Sequence, residues 1–553
     1  MGTQIQALPD PVIAAIAAGE VIDSWAAVVR ELAENALDAG ASRISLDLWP
    51  QRWQLRLADN GWGMELPDLR QAALAHHTSK IETAADLWNI VSLGFRGEAL
   101  HSLCQGAEVD ICSRPAQATA GWRIRYDRQG QPRDEQTVAI APGTIVTVSD
   151  LFATWPGRRR ALPPLPQQLQ AVQQTLQRLA LCHPQVTWQA RLDDRPWVTI
   201  WPAASPRQVL PQMLRQVHPQ DLRETEQVLP LPGNEGPPRV YLLLGLPDRC
   251  HRRRNDWVRV AVNGRPVILP ELEQAMVQAF RRTLPGHRYP ICFAHLRVDP
   301  SQLDWNRHPA KAILYLQQLE EWCRALPELI DQTLQADPVA CSDSSYQPRL
   351  HQMLKTAEAS GTYAAASAPK QPGALRAVAQ VHNRYILAEH AAGLCLIEQH
   401  IAHERVLYEQ LCDHWQVVPL ASPILLEHLS EAQVEQLRRL QLTVDAFGPA
   451  LWAVRSAPAQ LAQRDDCPEA LQELSLGGDL EAAIVATACR TAIRNGTPLD
   501  LATMRSLLDQ WQQTRHPHTC PHGRPICLTL QESSLARFFR RHWVIGKSHG
   551  LER

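Results

Sequence analysis

Between Ala26 and Ala41 the apolar positions Val28, Leu32 and Ala36 recur every four residues. That spacing stacks them on one face and predicts a helix over 26–41. Two runs after it, ISLDLWP (44–50) and QLRLAD (54–59), alternate apolar and polar residues and predict a strand hairpin. TIVTVSDLF (144–152) predicts another strand, and PQQLQAVQQTLQRLALC (166–182) an apolar-periodic helix. Beyond residue 215 the runs RVYLLLGLP, WVRVAVNG and PICFAHLRVD predict strands around a helix at 270–283, a second α+β domain. From 336 to 373 the chain is rich in Ala, Ser, Pro and Gln and loses periodicity, which predicts a flexible linker. Order resumes at ALRAVAQVHNRYILAEHAAGLCLIEQH, whose two β-rich runs open a third globular unit. The expected boundaries are 1–215, 216–335, 336–373 and 374–553.

With 553 residues, a division into three or four domains is expected on size alone. The formal net charge of −2 supplies no global field to attract nucleic acid, so any DNA contact must be local. Basic candidates are PGRRR (156–160), FFRRH (538–542) and the group Arg252, Arg253, Arg254 and Arg265 around HRRR and AVNGRPV. Such clusters are more often solvated surface than binding sites. No apolar run approaches a membrane span, and the N-terminus lacks a basic leader. The 13 cysteines are odd in number and scattered, which suits a reducing cytoplasm.

The predicted helix 26–41 carries the first chemical pattern. Glu31, Asn35 and Asp38 share a second face at i, i+4 and i+7. A solvated stripe is the plainer reading of three polar residues, yet Asn is a mediocre helix former. A carboxylate one turn from a carboxamide suits a poised water and a hard-oxygen ligand for Mg²⁺. DNGWGM (59–64) reads as a turn, but a strand precedes it and its two glycines let backbone approach a flat ligand. Asp59 would then accept a hydrogen bond from an exocyclic amine such as that of adenine. GFRGEALHSL places Gly94 and Gly97 just before a helix, where free backbone N–H groups meet phosphate.

Together, IAAGEVIDSWAAVVRELAENALDAGA, DNGWGM, HHTSKI, GFRGEAL and GTIVTVSDLF resemble the MutL branch of the GHKL ATPases, a superfamily shared with gyrase B and histidine kinases. AVNGRPV (261–267) and HPAK (308–311) are similar to MutL proteins rather than to the wider superfamily. The resemblance implies an α+β protein: a GHKL (Bergerat) ATPase α/β sandwich, a transducer domain like ribosomal protein S5 domain 2, a linker, and a C-terminal α/β dimerisation domain. It also implies ATP and Mg²⁺ as cofactors. Glu31 would be the general base, Asn35 the Mg²⁺ ligand with Asp38 beside it, and Asp59 the adenine reader. Gly61, Gly63 and Thr144 would line the base pocket. Lys80 and the lid Gly94, Phe95, Arg96, Gly97 and Glu98 would cover the phosphates, and Lys311 would reach the γ-phosphate. Two stretches depart from the family pattern, DSW (23–25) and the segment DPSQLDWNRHPAK.

The resemblance continues into the C-terminal unit, where two functions compete. One is an ATP-switched matchmaker: a cytoplasmic homodimer that clamps double-stranded DNA and couples mismatch recognition by MutS to excision. The other adds a metal-dependent nicking endonuclease. GLCLIEQHIAHERVLYE, ATACRTAIRNG and CPHGRP resemble the motifs of the nuclease-bearing branch. His400 and Glu404 lie four apart on one predicted helix face. Together with Glu398, Cys489, Cys520 and His522 they form a donor set for Zn²⁺ or Mn²⁺. For Cys489 alone a buried helix cysteine is the plainer reading; CPHGRP is more specific, because two prolines and a glycine hold Cys and His on a loop. Glu398 stands where that branch has Asp, and the extra methylene moves the carboxylate by roughly 1 to 1.5 Å. A sliding-clamp contact would fall on QVVPLASP (416–423), although Gln416 lies too far from Pro423 for the family spacing.

Overall fold

The computed structural model describes residues 18–305, 314–335, 375–532 and 535, apart from 20, 82, 84, 85, 87, 88, 231–236, 392, 449 and 450. Its packing forms two units, one of Met1–Leu243, Val258–Met276 and Cys292–Leu326, the other of Leu244–Trp257, Val277–Ile291 and Pro327–Arg553. Lys311, the HPAK motif, FFRR and the linker stretch 336–373 lie outside the described residues.

The first unit is built on an eight-stranded sheet. Its strands are β1 (Arg43–Trp49), β2 (Gln54–Asp59), β3 (Glu108–Arg114), β4 (Gly121–Tyr126), β5 (Pro132–Val138), β6 (Gly143–Ser149), β7 (Thr187–Leu192) and β8 (Arg195–Ile200), in the order β5-β4-β3-β6-β2-β1-β7-β8. The predicted hairpin is present, with Ile44 opposite Asp59 and Trp49 opposite Gln54. Strand β6 is shorter than predicted, because Asp150 and Phe152 adopt positive φ and turn the chain away.

Helix α1 (Trp25–Asp38) buries Val28, Leu32 and Ala36, the predicted apolar stripe. Ser24 caps it by accepting from the Ala27 N–H at 3.2 Å, and Trp25 stacks on Trp53 with centroids 5.9 Å apart. The departure DSW therefore supplies a helix cap and an anchor. The helix stops three residues earlier than predicted: Ala41 N–H bonds Ala36 C=O around Gly40, whose φ is 71°. Helices α2 (Ala99–Gly106) and α3 (Leu165–Cys182) complete the elements around the first site.

A second sheet follows, of β9 (Leu222–Val228), β10 (Arg239–Gly245), β11 (Val258–Val262), β12 (Arg265–Val267) and β13 (Cys292–Arg297), ordered β12-β11-β13-β10-β9. Helix α4 covers Pro270–Ala279, four residues short of the prediction, since Phe280 and Arg281 close tighter turns onto Val277 and Gln278. Two short strands, β14 (Leu303–Asp304) and β15 (Tyr315–Leu316), pair antiparallel.

In the second unit, β16 (Arg376–Val381), β17 (Tyr385–His390), β18 (Gly393–Glu398) and β22 (Cys527–Gln531) form one sheet in the order β16-β17-β18-β22. Helix α5 (Gln399–Asp413) starts directly from β18 and packs Ala402 and Val406 with Ile386, Ile397 and Trp511. Helix α6 spans Leu480–Thr491. A separate sheet of β19 (Val417–Glu427), β20 (Val444–Gly448) and β21 (Leu451–Pro458), ordered β19-β21-β20, has its own apolar cluster. QVVPLASP runs into edge strand β19, whose register breaks between Pro419 and Ile424.

Candidate active site and metal centre

The C-terminal half of α1 faces the glycine loop. Asp38 accepts the backbone N–H groups of Leu93 and Gly94, both at 2.8 Å, and pairs with Lys80, whose ammonium also reaches Asn35 Oδ1 at 3.3 Å. The space around Gly94 is tight: a Cβ there would sit 2.8 Å from Lys80 Nζ and 3.1 Å from Asn35 Oδ1, so the Lys80 ammonium would have to shift. Glu31, one turn before Asn35, is buried and lies 3.2 Å from the Arg30 guanidinium. The stripe Glu31, Asn35 and Asp38 is therefore turned into the fold, against the solvated reading. Lys80 thus sits on Asp38 and Asn35 beside the glycine loop.

Asp59 ends β2 opposite Thr144 on β6. Its carboxylate accepts the Gly61 N–H at 2.8 Å, while Thr144 shares a 2.9 Å hydrogen bond with Ser113. Burial pushes the Asp59 carboxyl up to about 6, although the Gly61 and Thr144 backbone donors work against the rise. Gly63 turns at φ 73°, and a Cβ there would overlap the Arg114 carbonyl. Phe95 is buried with the Arg96 guanidinium 5.5 Å from its ring, Gly97 turns at φ 64°, and Glu98 is the N-cap residue of α2. Ser113 carried no signal in the sequence; only the β3–β6 pairing places it beside Thr144.

The basic residues divide. Arg265 is buried, its guanidinium 3.7 Å from Glu34 and stacked 4.4 Å from the Trp305 ring, so the expectation that it contacts DNA is corrected: no phosphate can reach it. Arg252 pairs with Asp256 at 2.9 Å, whereas Arg253 and Arg254 are exposed. In PGRRR, Arg158 donates to Ile22 C=O and Arg159 stacks on Trp53, which are structural roles.

The second unit holds a compact donor set. A carboxylate oxygen of Glu404, the Cys520 sulfur and a ring nitrogen of His522 lie within 4.8 Å of one another. Glu404 is fully buried; His522 Nδ1 sits 2.8 Å from its Oε1 and Arg524 Nη2 donates to Oε2 at 2.9 Å. Burial opposes ionisation of Glu404, but His522 and Arg524 hold it below the usual carboxylate range. The Cys520 thiol is likewise lowered against its burial by hydrogen bonds from His522 and Arg524. His522 is pushed up to about 9 by Cys520 and Glu404. Burial raises the Cys489 thiol, and so does the neighbouring Glu404, which places this α6 cysteine at the border of the cluster.

Besides Cys489, two more predicted ligands, Glu398 and His400, stand outside the donor set. Glu398 is the N-cap of α5: Oε2 accepts the Ile401 N–H at 2.7 Å and Oε1 accepts from Asn495 at 2.7 Å. His400 Nδ1 is 2.9 Å from the Ile493 carbonyl, which leaves Nε2 as its remaining ring nitrogen. Glu409 was not anticipated; it accepts the N–H groups of Arg515 at 2.6 Å and His516 at 3.1 Å and so anchors the strand of chain leading to Cys520. Five residues from Glu404, it falls on a different helix face, and periodicity cannot find it.

The donor types fit a borderline metal, because a thiol, an imidazole and a carboxylate converge within 4.8 Å. No helix among the described residues is long and apolar enough to cross a membrane.

Comparison with known proteins identifies the domains. Residues 22–149 match the family described as histidine kinase-, DNA gyrase B-, and HSP90-like ATPase. Residues 220–335 match the C-terminal domain of DNA mismatch repair protein, and 378–499 the MutL C terminal dimerisation domain. The DNA mismatch repair protein MutL of Trichormus variabilis is 57% identical, with 100% of each chain covered. That of Deinococcus radiodurans is 32% identical, again over 100% of both. The crystal structure of the N-terminal domain of a DNA repair protein shares the fold with TM-score 0.51 and 22% identity, covering 59% of this chain and 99% of its own. With an ATPase domain at one end and a dimerisation domain at the other, the chain belongs to the MutL family of DNA mismatch repair proteins.

Proposed function

We propose that the chain hydrolyses ATP with Mg²⁺ to switch a homodimeric DNA clamp, and that this switch couples mismatch recognition by MutS to excision. The observation that carries the reading is the stripe Glu31–Asn35–Asp38, turned onto the glycine loop through the Asp38 bonds to Leu93 and Gly94. Glu31, buried on α1, takes the proton of the attacking water. Asn35 offers a neutral oxygen to Mg²⁺, which when bound supplies charge neutralisation on the phosphates. Asp59 accepts from the adenine amine, and Gly61, Gly63 and Thr144 shape the pocket around it. Lys80 and Lys311 supply positive charge to the phosphates, the lid 94–98 supplies backbone donors, and Arg253 and Arg254 are exposed cations for the DNA backbone. The domains follow the boundaries 1–215, 216–335, 336–373 and 374–553, and the cytosol is the compartment. Steady-state hydrolysis of ATP by the full chain and by Glu31→Ala tests the reading; equal rates would remove Glu31 from the mechanism.

We also propose that Glu404, Cys520 and His522, with Cys489 at the border and His400 on the same helix, bind Zn²⁺ or Mn²⁺. When bound, the metal supplies Lewis-acid activation for phosphodiester cleavage. A matchmaker that binds metal without cutting is favoured by one observation: both oxygens of Glu398 are engaged at the α5 N-terminus and with Asn495. Conversion of supercoiled plasmid to open circles with Mn²⁺, ATP and a sliding clamp decides between the two. No open circles means no nuclease.

A further inference from the structure

The AVNGRPV turn holds more structure than a hairpin needs. Its backbone is gripped from two sides. His183, which follows the last residue of α3, meets Gly264 C=O through Nε2 at 2.9 Å, and His295 on β13 accepts the Gly264 N–H at Nε2, also at 2.9 Å. Asn263 closes two further bonds with the Val298 backbone, at 2.9 and 3.0 Å. His183 therefore donates from Nε2–H, and His295, which accepts at Nε2, is the neutral Nδ1–H tautomer. Burial favours that state, lowering His183 and taking His295 down to about 4.

From this fixed turn Arg265 enters the interior. Its guanidinium is 3% exposed, faces Glu34 (1% exposed) on α1 at 3.7 Å, and stacks on the buried Trp305 ring. Glu34 lies three residues after Glu31, on the adjoining turn of the same helix. A buried charge pair contributes little net stability, so stability alone is a weak reason for placing one here. Geometry is a stronger one. The pair fixes the distance between β12 of the second sheet and the helix carrying Glu31, Asn35 and Asp38. A rigid turn holds one end of it and a flat aromatic holds the guanidinium plane.

We infer that Arg265 is a positioning residue for ATP hydrolysis, acting through Glu34 to set helix α1, and with it Glu31, relative to the second sheet. The inference rests on the reading of Glu31 as the general base. Loss of the pair leaves nucleotide contacts in place and misplaces the base, so turnover falls while nucleotide affinity holds.

The test uses the full chain and compares Arg265→Gln, Arg265→Lys and the double variant Arg265→Gln/Glu34→Gln, with Glu31→Ala as control. The expected result for Arg265→Gln is a fall in kcat of about tenfold or more with KM within about twofold. Lysine keeps the charge but not the fork, and is expected to recover only part of the rate. The double variant removes both buried charges together and is expected to melt close to the parent, yet its kcat stays low. If Arg265→Gln does not fold, the lysine and double variants carry the comparison. Unchanged kcat in all three, or kcat restored along with melting temperature in the double variant, overturns the inference. Wild-type turnover by Glu31→Ala would instead overturn the reading of the base on which it rests.

Discussion

The carboxylate of Asp38 takes the backbone N–H of Gly94 at 2.8 Å, joining the last turn of α1 to the first glycine of the loop before α2. A second amide, that of Leu93, meets the other oxygen. Asp38→Ala leaves two amides without their acceptor, a loss of about 1–3 kcal/mol for each group that water cannot reach. Its expected signature is a loosened loop: faster amide exchange at Leu93 and Gly94, with exchange in β1 and β2 unchanged. Equal protection in the variant would show that the loop is held by other contacts.

Removing the Glu31 carboxylate is expected to slow ATP hydrolysis by about 10²-fold or more, the scale of a lost general base, while a non-hydrolysable analogue binds as before. Single-turnover hydrolysis beside a binding titration separates the two effects. Weakened binding with unchanged turnover would assign Glu31 to substrate affinity.

Nucleotide affinity is expected to depend on pH through Asp59. Burial raises this carboxyl to about 6, so the group is an acceptor above that pH and becomes protonated below it. An adenine amine needs the acceptor, and the dissociation constant of ADP should therefore rise as pH falls, by up to about tenfold per unit below 6. Calorimetric titrations from pH 7.5 to 5.0 check the slope. Asp59→Asn should bind weakly and without that slope; a flat profile in the parent would exclude Asp59 as the reader.

At the C-terminal cluster, Glu404→Gln removes the buried carboxylate while keeping its shape. Cobalt titration, read by the visible absorption bands of a thiolate-bound ion, is expected to lose intensity and weaken by about 10-fold or more. Cys520→Ser should abolish the bands. Bands of parental strength in both variants would place the metal elsewhere.

Glu398→Asp restores the shorter carboxylate at the α5 cap. Aspartate is the better capping residue, so thermal stability should be retained or rise slightly. An increase in plasmid nicking with Mn²⁺ would identify the methylene as the brake; unchanged nicking would leave Glu398 as a cap alone.

The groups proposed for the first site could be nominated from the chain because they are local. Glu31, Asn35 and Asp38 sit on one helix, and a period of 3.6 is enough to put them on one face. Asp59 and its glycines follow a strand that alternation reveals. The hairpin of β1 and β2 was legible for the same reason, since sheet periodicity is a short-range property. Helix ends were less so: α4 stopped four residues early because its last turn tightened, a choice made by packing rather than by pattern.

How groups distant in sequence share charge is set by long-range packing. Arg265 reads as a surface cation, yet folding buries it against Glu34, 231 positions earlier, and only that pairing removes it from the DNA-facing set. Lys80 is paired with Asp38 and Asn35, 42 and 45 positions earlier. Among the sequence-nominated metal ligands, long-range packing brought Glu404 to Cys520 and His522 but engaged Glu398 and His400 with Asn495 and the Ile493 carbonyl. Donor types, helix and strand periods and the family resemblance are legible along the chain. Which donors converge depends on the packing of α5 against the chain around 493–495 and on the Cys520 loop, because a residue's electrostatic partners are set by distances in space that no local period encodes.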